Sequence, residues 1–200
     1  LDLMVAHQEE GVLHYRNLLE GRFRNVTAET GLDQEAGMAT LAMGDYNNDG
    51  FPDLFTAGSQ TAELFINRGN GSFDSDRRPV PMLEALQELA AMETTFLDFD
   101  NDGWLDLLAA EESREGGPTD GGTGIRLFRN AAPGQFDDLS SLLPERASPV
   151  RAVAVLDYGE DGDLDFLVAG ADGTLALLRN DGGDANHFLK VRLNGLMVAG

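Results

Sequence analysis

The feature that most constrains this chain is a nine-residue acidic segment that occurs three times. In each copy aspartate stands at positions 1, 5 and 9 and glycine at position 6. We name the copies loop 1 (45–53), loop 2 (98–106) and loop 3 (157–165). Position 3 differs between them, being Asn47, Asp100 and Gly159 in turn. Self-similarity of this kind indicates a repeat architecture rather than a single irregular domain.

Short apolar runs surround these loops at regular intervals. The run after each loop has a fourth relative at 1–6, and the aspartates in these runs, Asp2, Asp53, Asp106 and Asp165, lie 51, 53 and 59 positions apart. A second run, ending in asparagine, follows each time, and three copies then carry Gly-x-Phe. About four short strands per unit at a period near fifty is typical of propeller blades. The runs lack clean alternation, as expected of strands covered on both faces.

The sequence therefore predicts an all-β fold of four-stranded antiparallel blades, a partial β-propeller of about 3.5–4 blades. We expect units at about 1–37, 38–90, 91–147 and 148–185, with 186–200 forming a closing strand or the start of another module. Residues 70–71 (Asn-Gly) predict a hairpin turn. Residues 82–92 read as a short helix or turn between blades, and the glycine-rich segment 115–124 as a lengthened hairpin loop.

Composition limits the possible functions. With 35 acidic and 14 basic side chains the formal charge is −21, which argues against binding to nucleic acid or anionic membranes. Cysteine is absent, so disulfides, thiolate metal sites and a cysteine nucleophile are excluded. No apolar run approaches the roughly 18 residues of a membrane span, so we expect no membrane insertion.

The three loops have the chemistry of calcium sites. Oxygen ligands at positions 1, 3 and 5 with glycine at 6 match the first half of an EF-hand loop, but the bidentate acid falls at position 9. One such cluster is as compatible with a simple turn as with a metal site. Three clusters are not, because so many like charges are costly without a cation. Position 7 is expected to offer its backbone carbonyl, from Phe51, Trp104 and Asp163.

These loops and their flanking runs resemble the FG-GAP/VCBS repeats of integrin-alpha-type β-propellers, whose inter-strand loops bind calcium. The resemblance implies up to three Ca²⁺ ions. Its ligands fall on Asp45, Asn47, Asp49 and Asp53; on Asp98, Asp100, Asp102 and Asp106; and on Asp157, Asp161 and Asp165. Loop 2, with four carboxylates, is expected to bind most tightly, then loop 1, then loop 3, where Gly159 supplies no side chain.

Two further expectations come from the resemblance. Residues 186–195 are similar to the opening of the ASPIC/UnbV module that follows such repeats. Because the family's propellers commonly have seven blades, we expect the chain to be a fragment of a longer protein.

Three functional hypotheses follow. The leading one is a non-enzymatic, calcium-stabilised scaffold that binds a protein or glycan partner and is extracellular, periplasmic or on the cell surface. The second is an enzyme on a propeller scaffold, such as a polysaccharide lyase. The third is a purely structural adhesin repeat. The three histidines, His7, His14 and His187, show no catalytic spacing.

Overall fold

Short apolar runs separated by Gly, Asn and Asp turns fold into antiparallel hairpins. The computed structural model of the protein describes residues 2–32, 37–58, 61–76, 82–83, 86, 91–111, 124–144 and 150–182. Within those residues there are fourteen strands in four antiparallel sheets, each following the order of the chain.

The strands group as follows. Sheet I contains β1 (Leu3–His7), β2 (Gly11–Asn17) and β3 (Phe23–Asn25). Sheet II contains β4 (Met38–Gly44), β5 (Asp53–Gly58), β6 (Thr61–Asn67) and β7 (Phe73–Ser75). Sheet III contains β8 (Ala91–Leu97), β9 (Asp106–Glu111), β10 (Ile125–Ala132) and β11 (Gln135–Asp138). Sheet IV contains β12 (Val150–Leu156), β13 (Asp165–Gly170) and β14 (Leu175–Leu178).

The core lies between neighbouring sheets, which pack face to face. Successive residues of a strand point to opposite faces. Leu54 of β5 therefore packs towards sheet I and Phe55 towards sheet III, and both are fully buried. Leu107 and Leu108 of β9 divide in the same way between the clusters shared with sheets II and IV. Burial on both faces explains the missing alternation and confirms the all-β, partial-propeller expectation.

The inter-strand connections place the acidic loops. Loop 1 joins β4 to β5, loop 2 joins β8 to β9, and loop 3 joins β12 to β13. The expected 70–71 turn is confirmed: β6 and β7 pair antiparallel, the Arg68 amide donates to the Ser72 carbonyl (3.0 Å), and Gly71 has φ +90°.

Helical structure is minor in the described part of the chain. It comprises α1 (Thr27–Thr30), a 3-10 turn (Ser140–Leu142) and helical backbone at Met82, Leu83 and Leu86. The expected helix over 82–92 was wrong at its end, because Ala91 already begins β8, pairing with Glu111. Residues 115–123 and 186–200 lie outside the described residues. The unit boundaries and the ASPIC/UnbV-like segment therefore stay predictions.

Candidate metal centre

The three acidic loops share one backbone geometry, which the position-1 aspartate organises. Its two carboxylate oxygens accept the amide N–H groups of positions 5 and 6. In loop 1, Asp49 and Gly50 donate to Asp45 at 3.0 and 2.8 Å. The corresponding distances are both 3.0 Å in loop 2, and 3.1 and 3.3 Å in loop 3. Each carboxylate oxygen has a second acceptor site, so these bonds leave capacity for a cation.

Two positions of each loop need left-handed backbone. Position 4 has φ +56°, +55° and +55° at Asn48, Asn101 and Glu160. Position 6 is glycine with φ between +88° and +93° in all three loops. Glycine tolerates this conformation without steric cost, which gives the repeated glycine a physical reason.

The position-9 aspartate begins the next strand and points into the protein. Asp53 and Asp106 are fully buried and Asp165 is nearly so. One oxygen of each accepts the backbone N–H of an asparagine at the end of the following apolar run: Asn67 (2.9 Å), Asn130 (2.8 Å) and Asn180 (2.8 Å). Asp2 makes the same bond to Asn17 (2.9 Å). The start of the chain is thus built like the later units.

Loop 2 gathers its carboxylates most closely. One oxygen each from Asp98, Asp100 and Asp106 lies within 4.8 Å of the others, so these three expected ligands come together and could hold a metal ion. Asp102, the fourth, is held differently. Its Oδ1 accepts a hydrogen bond from the Trp104 amide (2.9 Å), and its Oδ2 accepts one from Nη2 of Arg129 (2.7 Å).

Three of these acids have raised pKa values, so their ionised forms are disfavoured when no cation is bound. Burial, followed by the neighbouring charges of Asp100 and Asp102, raises the pKa of Asp106 to about 7 against two lowering backbone hydrogen bonds. Burial likewise raises the pKa of Asp53 to about 6, with Asp49 and Asp45 adding to it. Burial also raises the pKa of Asp98. A divalent cation at the same place would reverse this penalty by favouring the ionised carboxylates.

Loop 1 differs from loop 2 in its surroundings. The Asn47 side-chain oxygen and Asp49 Oδ1 accept the amides of Asp49 and Phe51 (both 2.9 Å). Asp53 Oδ2 is buried and makes no well-aligned hydrogen bond within the described residues, although the Tyr46 amide is near enough to lower its pKa. An under-satisfied buried carboxylate oxygen, close enough to Asp45 and Asp49 for their charges to raise its pKa, fits a hard cation.

Loop 3 has the same turn but a thinner ligand set. Asp157, Asp161 and Asp165 keep their positions, and the Asp163 amide donates to Asp161 Oδ1 at 3.3 Å. A Cβ on Gly159 would lie 2.6 Å from Asp161 Oδ2, so the Asp161 carboxylate leans into the space that a position-3 side chain takes elsewhere. Glu160, at left-handed position 4, is exposed. The carbonyls of Phe51, Trp104 and Asp163 as ligands stay predictions.

Asparagines connect neighbouring loops, a role that the sequence analysis missed. The Asn130 side-chain amide donates to the Tyr46 carbonyl of loop 1 (2.8 Å), and that of Asn180 to the Phe99 carbonyl of loop 2 (2.8 Å). In the opposite direction, Asn48 donates to the Gly103 carbonyl (3.1 Å) and Asn101 to the Gly162 carbonyl (3.3 Å). The signal was present as asparagine at the end of each second apolar run.

Comparison with known proteins supports this reading of the repeats. A model described as "FG-GAP-like repeat" matches residues 1–56, 45–109 and 98–168. The chain belongs to the FG-GAP-like repeat family. Its second and third matches begin at Asp45 and Asp98, the first residues of loops 1 and 2, and all three end shortly after a position-9 aspartate. No curated protein matches the chain in sequence.

A solved structure shares the fold. It is an Agrocybe aegerita lectin described as specifically recognising non-reducing terminal N-acetylglucosamine. Its superposition on this chain has a TM-score of 0.54 at 16% sequence identity. The match covers 91% of this chain and 49% of the lectin, so the chain spans about half the length of that protein. No helix in the described ranges is both long and apolar enough to span a bilayer.

Proposed function

We propose that this FG-GAP-like chain is a non-enzymatic scaffold whose blades are stabilised by calcium at loops 1, 2 and 3 and which binds a protein or glycan partner. One observation carries the proposal: the three loops share the same position-1 hydrogen bonds and a buried position-9 aspartate, and loop 2 brings oxygens of Asp98, Asp100 and Asp106 within 4.8 Å of one another. Carboxylate and amide oxygens are the ligands that calcium prefers.

Each loop would contribute a defined ligand set. Loop 2 would use Asp98, Asp100 and Asp106, with Asp102 able to join them. Loop 1 would use Asp45, Asn47, Asp49 and Asp53, and loop 3 would use Asp157, Asp161 and Asp165. When bound, the ion would neutralise the buried carboxylates and thereby stabilise the turn between the first two strands of a blade.

The partner class, a protein or a glycan, is inferred from the lectin neighbour. The lectin neighbour has the same kind of fold and binds a sugar, which favours a binding scaffold over an enzyme. Of the described histidines, His7 accepts the amides of Glu9 and Glu10 at its Nδ1 (both 3.2 Å), and the buried His14 has its Nε2 3.3 Å from Asp2 Oδ2. Calcium of moderate affinity suits an extracellular, periplasmic or surface location, where calcium is millimolar.

Calcium titration with thermal unfolding tests the proposal. We expect heat of binding for up to three ions and a melting temperature that rises from excess chelator to millimolar calcium. An ion that binds only the folded state stabilises it by about 2.7 kcal/mol at a hundredfold excess over Kd. Asp45→Asn, Asp98→Asn and Asp157→Asn combined should abolish the rise.

The matched control is Asp74→Asn, which removes an exposed acid that pairs with Arg68 outside the loops. It should keep the calcium response. An unmodified protein whose melting temperature is the same with chelator and with calcium would refute the proposal. Glycan-array binding then addresses the partner class.

A further inference from the structure

Arg129 brings a positive charge against the expected ligands of loop 2. Its Nε donates to Asp100 Oδ2 at 2.6 Å and its Nη2 to Asp102 Oδ2 at 2.7 Å. Asp100 and Asp102 stand at positions 3 and 5, and their carboxylates are mostly buried, with 19% and 16% of their side chains exposed. The guanidinium therefore spans two of the four expected ligands of one loop.

We propose that Arg129 is a built-in counter-cation of loop 2, which competes with calcium for Asp100 and Asp102 and so lowers the affinity of this loop below that of loop 1. The inference rests on the proposed calcium function. It reverses the order of the first two loops that carboxylate number alone predicts.

Charge-assisted hydrogen bonds explain why the competition is effective. An arginine paired to two carboxylates in a partly buried place makes shorter and stronger bonds than a neutral donor. Those bonds raise the pKa of Arg129, Asp100 being the largest contributor, so the guanidinium stays charged. Calcium that uses positions 3 and 5 as ligands must therefore share both carboxylates with the guanidinium, whose positive charge also repels the ion.

Loop 1 provides the natural comparison, because its equivalent residue carries no charge. Arg129 directly precedes Asn130, whose amide donates to the position-9 Asp106. In loop 1 the residue before the corresponding Asn67 is Ile66, which packs against the apolar cluster between sheets II and III. Loop 3 is intermediate: Arg179 lies 3.8 Å from Asp161 but makes its shorter contact, 2.8 Å, with Asp181.

The chain contains its own reporter for this site. Trp104, its single tryptophan, stands at position 7 of loop 2. Terbium, a calcium surrogate that tryptophan sensitises, should therefore luminesce chiefly from loop 2, with calcium then displacing it. In the variant Phe51→Trp/Trp104→Phe the reporter moves to position 7 of loop 1, where the Phe51 side chain is exposed on one side and lies against Gly69 on the other.

The first measurement leaves Arg129 in place and compares calcium displacement of terbium in these two proteins. We expect loop 1 to bind calcium more tightly than loop 2. Equal affinities, or a tighter loop 2, would overturn the proposal. Absence of binding heat and of luminescence at every loop would instead refute the calcium function itself, so the two failures are distinguishable.

The second measurement removes the competitor. Arg129→Gln should tighten calcium binding at loop 2 about tenfold, the size expected for losing hydrogen bonds to charged groups. It should also lower the melting temperature in chelator, because the guanidinium pairs there with both Asp100 and Asp102. Arg126→Gln is the matched control, because Arg126 lies on the same strand and faces Asp138 at 3.6 Å.

Unchanged or weaker calcium affinity in Arg129→Gln would show that the guanidinium supports the ligands instead of competing for them. Circular dichroism checks that the variant is folded. If it is not folded, the comparison of loops 1 and 2 in the two proteins that keep Arg129 still tests the proposal.

Discussion

Loops 1 and 2 have the same nine-residue turn but differ in what reduces the repulsion between its aspartates. Loop 1 leaves Asn48 and Asp49 exposed and replaces one acid with the neutral Asn47. Loop 2 is more covered, keeps four aspartates and brings in Arg129 from β10. The spacing of the aspartates thus determines where the expected ligands lie, whereas the neighbouring strand determines how much positive charge the protein itself supplies to them. The predictions below test that separation.

The largest contrast is expected from the position-9 acids. Asp106→Ala removes an acceptor that binds two amides, those of Asn130 and Phe99, as well as a metal ligand. In calcium we expect it to reduce the free energy of unfolding by about 4 kcal/mol, because buried N–H groups are left unsatisfied. Asp53→Ala, with one well-aligned amide bond to Asn67, should cost about half as much. Urea unfolding measures both, and a larger loss at Asp53 would contradict the contrast.

The pH dependence should reverse its sign when calcium is added. In the metal-free protein Asp106 and Asp53 have pKa values of about 7 and about 6, above the ordinary 3.8, so the folded state binds more protons than the unfolded state. The stability that these two groups contribute is fully present below about pH 4 and is lost as pH rises from there through 6 and 7, by on the order of 3 kcal/mol. With calcium, protons compete with the ion, and stability should fall on acidification instead.

Chemical unfolding across this pH range, with chelator and with calcium, checks the reversal. Asp106→Asn removes the group with the higher pKa and should flatten the metal-free slope near pH 7. A metal-free protein whose stability rises from pH 5 to pH 7.5 would contradict the electrostatic account of both loops.

The loss of stability on replacing an asparagine that binds a loop carbonyl should increase with the burial of the hydrogen bonds removed. Asn130→Ala removes bonds to the carbonyls of Tyr46 and Leu105 in a buried place, and we expect a loss of about 2 kcal/mol. Asn180→Ala loses a half-buried bond to the Phe99 carbonyl and an exposed bond from the Gly182 amide (3.1 Å), and it should cost about 1 kcal/mol. The half-buried Asn67 donates to the Pro52 carbonyl of its own unit and accepts from the Gly69 amide, and because both bonds are exposed its alanine variant should be nearest to neutral. Melting temperatures of the three variants rank them; equal losses would argue against a role in joining blades.

The smallest effect concerns position 4, where glycine removes the side chain without straining the left-handed backbone. Asn48→Gly loses one exposed bond and should change stability by less than about 0.5 kcal/mol. Asn101→Gly loses bonds to Gly162 and to Asp163 Oδ1 (3.1 Å) and should cost about 1 kcal/mol. Thermal unfolding of the pair is sufficient, and a larger loss at Asn48 would show that exposure does not control these contacts.

The sequence was informative wherever residues near each other in the chain determine the structure. Aspartate at positions 1 and 9 and glycine at 6 predicted where each loop turns and where β5, β9 and β13 begin. It failed where distant residues decide. Arg129 binds two loop acids that lie 29 and 27 positions before it, a pairing that the spacing of the repeat did not predict. The helix predicted over 82–92 failed because pairing with β9 extends β8 back to Ala91.

The bonds that join one loop to the next have an asymmetry with a consequence for sequence change. The donor is a side chain, Asn130 or Asn180, but the acceptor is the backbone carbonyl of Tyr46 or Phe99. Every amino acid supplies that carbonyl, so position 2 can drift through substitutions without deleting the acceptor. Only the amide of the next unit must be kept. Duplicating one unit would therefore copy a complete joint, and an array of this kind can lengthen by single blades without redesigning its neighbours.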